Sequence, residues 1–252
     1  SESLQAQKDY TPCQHPGECS YETCICVRER GVCEKWCFCA KTCKARYEGC
    51  SCRKNNCNSK QCKCVARGRE CDPDLCKSCH CDVHQHNTPD DEIPKTVSLC
   101  KNVNLLYSNK QKLEIAQSRV CDGYGLFTLQ PVKKKQLVYE YTGEILSADE
   151  AERRGRIYDN LLGHSFLFTL TETLRIDADL KGNKLRYANY GDRANDNTYP
   201  EIKFVNGTHR IGLYAKRDIA AGEELLFNYN YEVLPKWLQD IKDRQEGMNV
   251  DG

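Results

Sequence analysis

The sequence of 252 residues contains no apolar stretch of about 18 residues, which excludes a membrane-spanning helix. It begins at Ser1 with neither a basic nor an apolar segment, so we expect no secretory leader. The absence of an initiator methionine indicates a fragment or a processed piece. The mean hydropathy of -0.72 is typical of a soluble protein, one part of which does not depend on an apolar core.

Cysteine is abundant and unevenly distributed. Of the 19 cysteines, all but Cys100 and Cys121 lie between Cys13 and Cys81. A secreted disulfide scaffold is one interpretation of such density. The missing leader and the spacing of the cysteines favour the other interpretation, a metal-binding segment in a reducing compartment.

The cysteine-rich segment contains an internal repeat. The first copy comprises Cys13, His15, Cys19, Cys24, Cys26, Cys33, Cys37, Cys39 and Cys43. The second copy comprises Cys50, Cys52, Cys57, Cys62, Cys64, Cys71, Cys76, Cys79 and Cys81. His15 occupies the position of Cys52, as expected of a metal ligand, because imidazole and thiolate both bind zinc.

Nine ligands per copy predict a cluster rather than a single ion. Three tetrahedral zinc ions need about twelve bonds, which nine ligands provide if three thiolates each bridge two ions. The sequence therefore predicts about six zinc ions in two three-zinc clusters, with His15 as a terminal ligand. The ninth ligand of the second cluster is either Cys81 or Cys100, and the spacing does not decide between them.

The same segment is basic. Between Val27 and Arg69, lysine and arginine far outnumber the acidic residues Glu29, Glu34 and Glu48. A basic surface can contact DNA. The alternative is that these side chains offset the negative charge of the zinc–thiolate clusters.

The second half of the chain predicts many short strands and few helices, without the strand–helix alternation of a nucleotide-binding sheet. We expect strands at 137–141, 165–170, 202–205 and 208–215, a turn at 142–144 and a helix over 151–158. Ser147 and Glu150 form a capping box, and Asn206-Gly207 is a strong hairpin signal. The predicted domains are a tail at 1–12, a cysteine-cluster domain at 13–82, a linker at 83–111, a β-rich domain at 112–232 and a C-terminal tail at 233–252.

Several motifs together resemble one known family. The run Cys71-Asp-Pro-Asp-Leu-Cys76 and the paired repeat resemble the CXC region of the enhancer-of-zeste family of Polycomb histone methyltransferases. The segments 122–127, 186–191, 211–219 and 222–231, in that order, resemble its SET domain. The resemblance implies a mainly β SET fold with a β-clip and a pseudoknot, preceded by the zinc-cluster CXC domain.

The resemblance also implies the chemistry. The family transfers methyl groups from S-adenosylmethionine to lysine 27 of histone H3 in Polycomb gene silencing in the nucleus. Its partners are the histone H3 tail in the nucleosome and WD-repeat and zinc-finger subunits of the Polycomb complex, without which we expect little activity. By motif, the catalytic residues are Tyr229 and Tyr141. The cofactor-binding residues are Gly123, Tyr124, Gly125, Ser165, Asn189, Tyr190 and Tyr229. The lysine channel is formed by Tyr141, Phe168, Phe227 and Tyr231.

The sequence also departs from the family pattern. Tyr190-Gly191 stands where His-Ser is usual, and Tyr124 stands where tryptophan is usual. No cysteine follows Cys121 in this sequence, so we expect no zinc site of the kind that follows many SET domains, as in enhancer of zeste. These departures leave two alternatives: a CXC chromatin- or DNA-binding module with a degenerate SET scaffold, and a SET enzyme acting on a non-histone lysine.

Overall fold

The computed structural model describes residues 6–53, 56–82, 100–162, 164–230 and 236–248. They fall into two compact units. The SET-like unit comprises Ser108–Ile202 and Arg210–Gly252 together with Ser1–Gln7. The cysteine-rich unit comprises Lys8–Tyr107 together with Lys203–His209.

The described elements are mostly short strands, in agreement with the predicted fold class. The helices are α1 Ile25–Arg30, α2 Lys63–Ala66, α3 Ala148–Ile157 and α4 Lys236–Met248. The strands are β1 Leu113–Gln117, β2 Tyr124–Thr128, β3 Leu137–Tyr141, β4 Gly143–Ser147, β5 Leu167–Thr169, β6 Leu174–Gly182, β7 Asn189–Tyr190, β8 Thr198–Val205, β9 Thr208–Ala215 and β10 Leu226–Phe227. Within the described ranges, no helix is both long and apolar enough to cross a membrane.

Three sheets are formed by these strands. Strands β1 and β2 form an antiparallel pair, and β4, β6 and β5 form a three-stranded sheet in that order. The largest sheet has the order β3-β9-β8-β10-β7. The β8–β9 hairpin turns at Asn206 and Gly207, whose φ angles of 44° and 94° are both positive. Positive φ at both central positions is what a type I′ turn requires, which explains why this short signal was predictive.

Strand β10 is threaded between two strands that precede it in the chain. It pairs in parallel with β7 on one side and β8 on the other. Asn197 fixes this insertion: its buried amide donates to the carbonyl of Glu224 at 2.7 Å and accepts from the N–H of Leu226 at 2.9 Å. This insertion of a late strand between two earlier ones is the arrangement expected of the pseudoknot.

The capping signal at Ser147 was accurate, whereas one predicted turn was not. Ser147 caps α3 by accepting from the N–H of Glu150 at 3.3 Å, as the capping motif predicts. The predicted turn at 142–144 is wrong beyond Thr142, because Gly143 already begins β4. That strand is stabilised by pairing with β6, about thirty residues later, which a local pattern does not reveal.

The SET-like unit has an apolar core. Its fully buried side chains come from the strands, the loops between them and the 3₁₀ turn Lys184–Tyr187, and include Leu126, Val132, Leu185, Ile211, Ile219 and Leu225. Burying such a side chain stabilises the fold by about 1.5–3 kcal/mol. This core fixes the strand ends from which the functional side chains project.

The cysteine-rich unit is built differently. Apart from Tyr47 and Val103, its buried hydrophobic clusters consist of cysteines. Residues 100–107 belong to this unit because Cys100 and Val103 are buried among those cysteines. The packing thus differs from the predicted linker at 83–111, of which 83–99 lie outside the described residues. The domain boundaries otherwise stay a prediction.

Two further features stabilise the cysteine-rich unit. Glu34, only 1% exposed, accepts two hydrogen bonds from the Arg69 guanidinium, at 2.9 and 2.7 Å. The hairpin tip 203–209 contributes Phe204, whose ring lies under the guanidinium of Arg30 at 4.2 Å and meets the edge of Tyr10 at 5.4 Å. The tip of the hairpin is therefore part of this unit's packing.

Candidate functional site

The ligand atoms of the first cysteine repeat converge. The Sγ–Sγ distances are 4.0 Å for Cys13–Cys33, 3.7 Å for Cys24–Cys33 and 3.7 Å for Cys26–Cys37. Zn–S bonds of about 2.3 Å in a tetrahedron place neighbouring sulfurs about 3.8 Å apart, whereas a disulfide needs about 2.0 Å. All nineteen cysteines, each within the described ranges, are free of disulfides.

His15 joins this group as the repeat predicts. Its Nε2 lies 3.6 Å from the Sγ of Cys19, close to the separation of about 3.6 Å that Zn–N and Zn–S bonds on one ion produce. Cys13, His15, Cys19 and Cys24 form one set whose ligand atoms lie within 4.8 Å of one another. The donor set and its spacing therefore fit zinc.

The second repeat has the same geometry. Cys50 Sγ lies 3.8 Å from Cys57 Sγ and 3.9 Å from Cys71 Sγ, and Cys64 lies 3.5 Å from Cys76. Neighbouring groups donate hydrogen bonds to these sulfurs: the Tyr47 hydroxyl donates to Cys64 at 3.0 Å. Burial and this contact raise the pKa of the Tyr47 hydroxyl, so it keeps its proton and can stabilise a thiolate.

Cys81 and Cys100 are both buried beside the second cluster, but their hydrogen bonds differ. The Sγ of Cys81 lies 3.1 Å from the carbonyl of Cys76, an acceptor that a thiol can bind and a thiolate cannot. The Sγ of Cys100 accepts from the N–H of Asn102 at 3.5 Å, as a metal-bound thiolate does. These contacts favour Cys100 as the ninth ligand.

We therefore expect Cys100→Ser to lose one zinc ion from the second cluster and Cys81→Ser to retain all three. Loss of a ligand also destabilises the unit because metal binding is coupled to its folding. Native mass spectrometry of the two variants, prepared side by side, measures the zinc count. The reverse pattern would assign the ninth position to Cys81.

The predicted lysine-channel residues lie together in the SET-like unit. Ring centroids are 5.3 Å apart for Tyr141–Phe168, 6.3 Å for Phe168–Phe227 and 4.6 Å for Phe227–Tyr229. The row continues to Tyr190, 5.6 Å from Tyr229. We call these five residues the aromatic row. Tyr231, predicted for the same channel, lies outside the described residues.

The two predicted catalytic tyrosines donate their hydroxyl hydrogens to backbone carbonyls. Tyr141 donates to the carbonyl of Phe166 at 2.6 Å, and Tyr229 donates to the carbonyl of Ala188 at 3.0 Å. A phenol oriented in this way presents oxygen lone pairs to an N–H donor. Ser165, predicted for the cofactor, is half-buried in the segment next to Phe166.

The other predicted cofactor residues also meet. The Asn189 amide donates to the carbonyl of Tyr124 at 3.0 Å, which connects β7 to β2. Tyr124 is 63% exposed and its ring meets that of Tyr187 edge-on at 6.4 Å. The Tyr190 ring is buried against Tyr229. The replacement of the usual histidine thus extends the aromatic row.

Sequence reasoning missed several polar residues around these segments. Glu224 and Ser118 both bind the Asn189 amide, at 3.0 and 3.1 Å. Their distance along the chain hides this contact from a motif search.

Elsewhere in the SET-like unit, the Tyr158 hydroxyl donates to Asp177 on β6 at 2.7 Å. Burial and this hydrogen bond raise the pKa of Tyr158 to about 12, so it stays protonated.

Comparison with known proteins identifies the domains. The family model of the SET domain matches residues 123–230, and that of the CXC domain matches residues 49–81. The SET match contains the aromatic row, and the CXC match contains the second cysteine repeat. The fold and the sites thus define a SET-domain protein with a CXC domain before the SET domain.

Curated relatives narrow the family further. The chain is 43% identical to the histone-lysine N-methyltransferase MEDEA of Arabidopsis thaliana, over 89% of this chain and 31% of the relative. It is 41% identical to the histone-lysine N-methyltransferase EZA1 of the same plant, over 98% of this chain and 28% of the relative. The chain belongs to the enhancer-of-zeste family.

Solved structures of polycomb repressive complex 2 also match this chain. The chain matches ctPRC2 in an autoinhibited conformation bound to S-adenosylmethionine with a TM-score of 0.77 at 32% identity, covering 96% of this chain and 31% of that one. It matches the Chaetomium thermophilum polycomb repressive complex 2 with a TM-score of 0.78 at 34% identity, covering 92% and 30%. The chain thus spans about a third of the length of its relatives.

Proposed function

We propose that this chain is the catalytic region of a histone-lysine methyltransferase that acts on histone H3, at lysine 27 by family resemblance, in Polycomb silencing in the nucleus. The observation that carries the proposal is the aromatic row beside the Asn189–Tyr190 segment. The relatives' names and the structure bound to S-adenosylmethionine support it.

The aromatic row suits a lysine side chain. Apolar walls disfavour the ammonium form by desolvation, so a lysine amine there is more readily neutral and nucleophilic. The faces of Tyr141, Phe168 and Phe227 also attract the methylated cation through their π electrons. These residues hold and orient the amine and exclude water, which is the main work of a positioning enzyme.

The cofactor would lie against the segments that Asn189 connects. Bound S-adenosylmethionine supplies the methyl group on a sulfonium. Tyr229, next to Tyr190 at the end of the row, is the residue we assign to the methyl-transfer centre. Gly123, Tyr124, Gly125 and Ser165 complete the assignment of the cofactor site.

We propose two three-zinc clusters for the cysteine-rich unit, about six ions in all. The sulfur spacings support tetrahedral sites, and the nine-residue repeat supports three ions in each. Their role is structural because the unit has few other groups to bury.

The proposed partners are the histone H3 tail in the nucleosome and the WD-repeat and zinc-finger subunits of a Polycomb complex. The structural neighbours, which are chains of polycomb repressive complex 2, support this assembly. Phe38, 74% exposed, lies in the basic cysteine-rich segment. A basic surface with exposed aromatic side chains suits DNA, and binding there would weaken steeply with salt.

The proposal is tested by methylation of recombinant nucleosomes. The chain is co-expressed with candidate Polycomb partners, and mass spectrometry maps the modified residue. Methyl transfer to lysine 27 of H3 is the expected result, and Tyr229→Phe is the matched control with reduced activity. Transfer to another protein only would support the non-histone alternative, and DNA binding without cofactor binding would support the degenerate scaffold.

The two tyrosines make separable predictions. Tyr141→Phe removes a hydroxyl that can accept a hydrogen bond from the incoming amine, which is worth roughly 0.5–1.5 kcal/mol, or about three- to tenfold in rate. We expect it to slow the first methylation and to spare or speed the third. Tyr229→Phe is expected to slow all three steps. Single-step kinetics on un-, mono- and dimethylated peptides measure both effects.

A control for these variants is Tyr139→Phe, which lies two residues before Tyr141 on β3. It changes the same atom without touching the aromatic row, so all three rates are expected to stay close to those of the wild type. If Tyr141→Phe scaled the three rates equally, Tyr141 would have a structural role only.

A further inference from the structure

Glu224 is a buried acid that the proposed mechanism does not use. Glu224 is only 5% exposed, and its carboxylate makes no ion pair with any of the described residues. Its carboxylate instead accepts from neutral donors. Oε1 accepts from the Ser118 hydroxyl at 2.8 Å and the Asn189 amide at 3.0 Å, and Oε2 accepts from the N–H of Arg119 at 2.8 Å.

Three other buried acids are compensated by cations: Glu34 is paired with Arg69, Asp177 with Arg154 and Asp72 with Lys35. A carboxylate that is desolvated without a cation must be satisfied by several hydrogen bonds, otherwise its burial costs several kcal/mol. The three bonds to Glu224 therefore form a preorganised set, in which Oε1 accepts from two donors and Oε2 accepts from one.

The carboxylate also lies directly against the backbone of β2. A Cβ atom added at Gly125 would be 2.2 Å from its Oε1, so only glycine permits this approach. The Asn189 amide, bound to Glu224, also donates to the carbonyl of Tyr124 and the Ser118 oxygen. One carboxylate thus contacts both segments assigned to the cofactor, 123–125 and 189–190.

We propose that Glu224 is a positioning residue that sets the affinity for the adenosyl cofactor by orienting the Asn189 amide and the Tyr124–Gly125 backbone. The choice of the adenosyl cofactor as the ligand rests on the proposed function, whereas the contacts of Glu224 with Asn189 and β2 do not. We expect removal of the charge to loosen these two segments before any cofactor is added.

The test is Glu224→Gln, which keeps the shape and replaces one acceptor oxygen by an NH₂ donor. Without cofactor, amide hydrogen exchange in residues 118–125 is expected to speed up about tenfold, as the loss of a charged hydrogen bond allows. The affinity for S-adenosylhomocysteine, measured by calorimetry, is expected to fall about tenfold. In the assembled complex, the cofactor KM is expected to rise while the peptide KM and kcat stay near wild type.

Glu223→Gln is the matched control, because its neighbouring carboxylate binds Arg217 and Asn197 rather than the cofactor segments. If Glu224→Gln does not fold, Ser118→Ala removes one donor and keeps the charge, with about a threefold effect expected. Unchanged exchange at 118–125 in the folded variant would overturn the inference. If Glu224→Gln speeds exchange at 118–125 while the wild-type chain binds no S-adenosylhomocysteine, the geometric part of the inference stands and the proposed function is refuted.

Discussion

Removal of zinc by a strong chelator is expected to unfold the cysteine-rich unit completely. Its buried clusters are mostly cysteines, so the proposed zinc bonds take the place of the apolar core found in the SET-like unit. Structural zinc contributes about 10–16 kcal/mol per site, whereas a whole domain is stable by only about 5–15 kcal/mol. The free energy lost with the ions is therefore larger than the free energy of unfolding of a typical domain, and the unit unfolds.

Hydrogen exchange followed by mass spectrometry measures this result. Protection is expected to disappear across 8–53 and 56–82, and to return when zinc is added under reducing conditions. Elemental analysis of the untreated chain is expected to give about six zinc ions. Two or fewer, together with disulfides on a non-reducing gel, would contradict the metal-cluster interpretation.

The second large effect is expected from the buried ion pair. Glu34→Ala leaves the Arg69 guanidinium, 5% exposed and packed 3.9 Å from the centre of the Tyr47 ring, without its carboxylate. Breaking one side of a buried pair costs about 3–5 kcal/mol. Urea denaturation at fixed free zinc should show this loss, and Arg69→Ala should show a similar one.

Glu29→Ala provides the control in the same unit. Glu29 is paired with Lys8 at 3.7 Å, but both side chains are substantially exposed. Such surface pairs contribute about 0–1 kcal/mol, so this variant is expected to unfold near the wild-type midpoint. Equal effects of Glu29→Ala and Glu34→Ala would mean that the buried pair contributes little.

The close grouping of the predicted ligands within each repeat was predictable because its signal is local. Each repeat brings its ligands together within about thirty residues, so spacing alone identifies His15 as equivalent to Cys52. The Asn206-Gly207 hairpin was predictable for the same reason: two adjacent residues determine the turn. The assignment of the aromatic residues to the lysine channel, by contrast, depended on family resemblance, because any single tyrosine or phenylalanine can equally be a core residue.

What the sequence could not predict depends on contacts between distant residues. Strand β4 forms at the predicted turn 142–144 because β6 pairs with it. Glu224 meets Ser118 across 106 residues, and no spacing rule connects them. The choice between Cys81 and Cys100 likewise required the hydrogen bonds around each sulfur.

The hairpin tip has a consequence for synthesis on the ribosome. The cysteine-rich unit uses Phe204 in its packing, and the five-stranded sheet is completed by Leu226 and Phe227. At about 5–20 residues per second, Lys203 leaves the ribosome roughly 5–20 s after Tyr107. During that interval the nascent chain has all its zinc ligands but not the ring that covers Arg30 and Arg69. Neither unit can reach its final packing until these later residues have been synthesised.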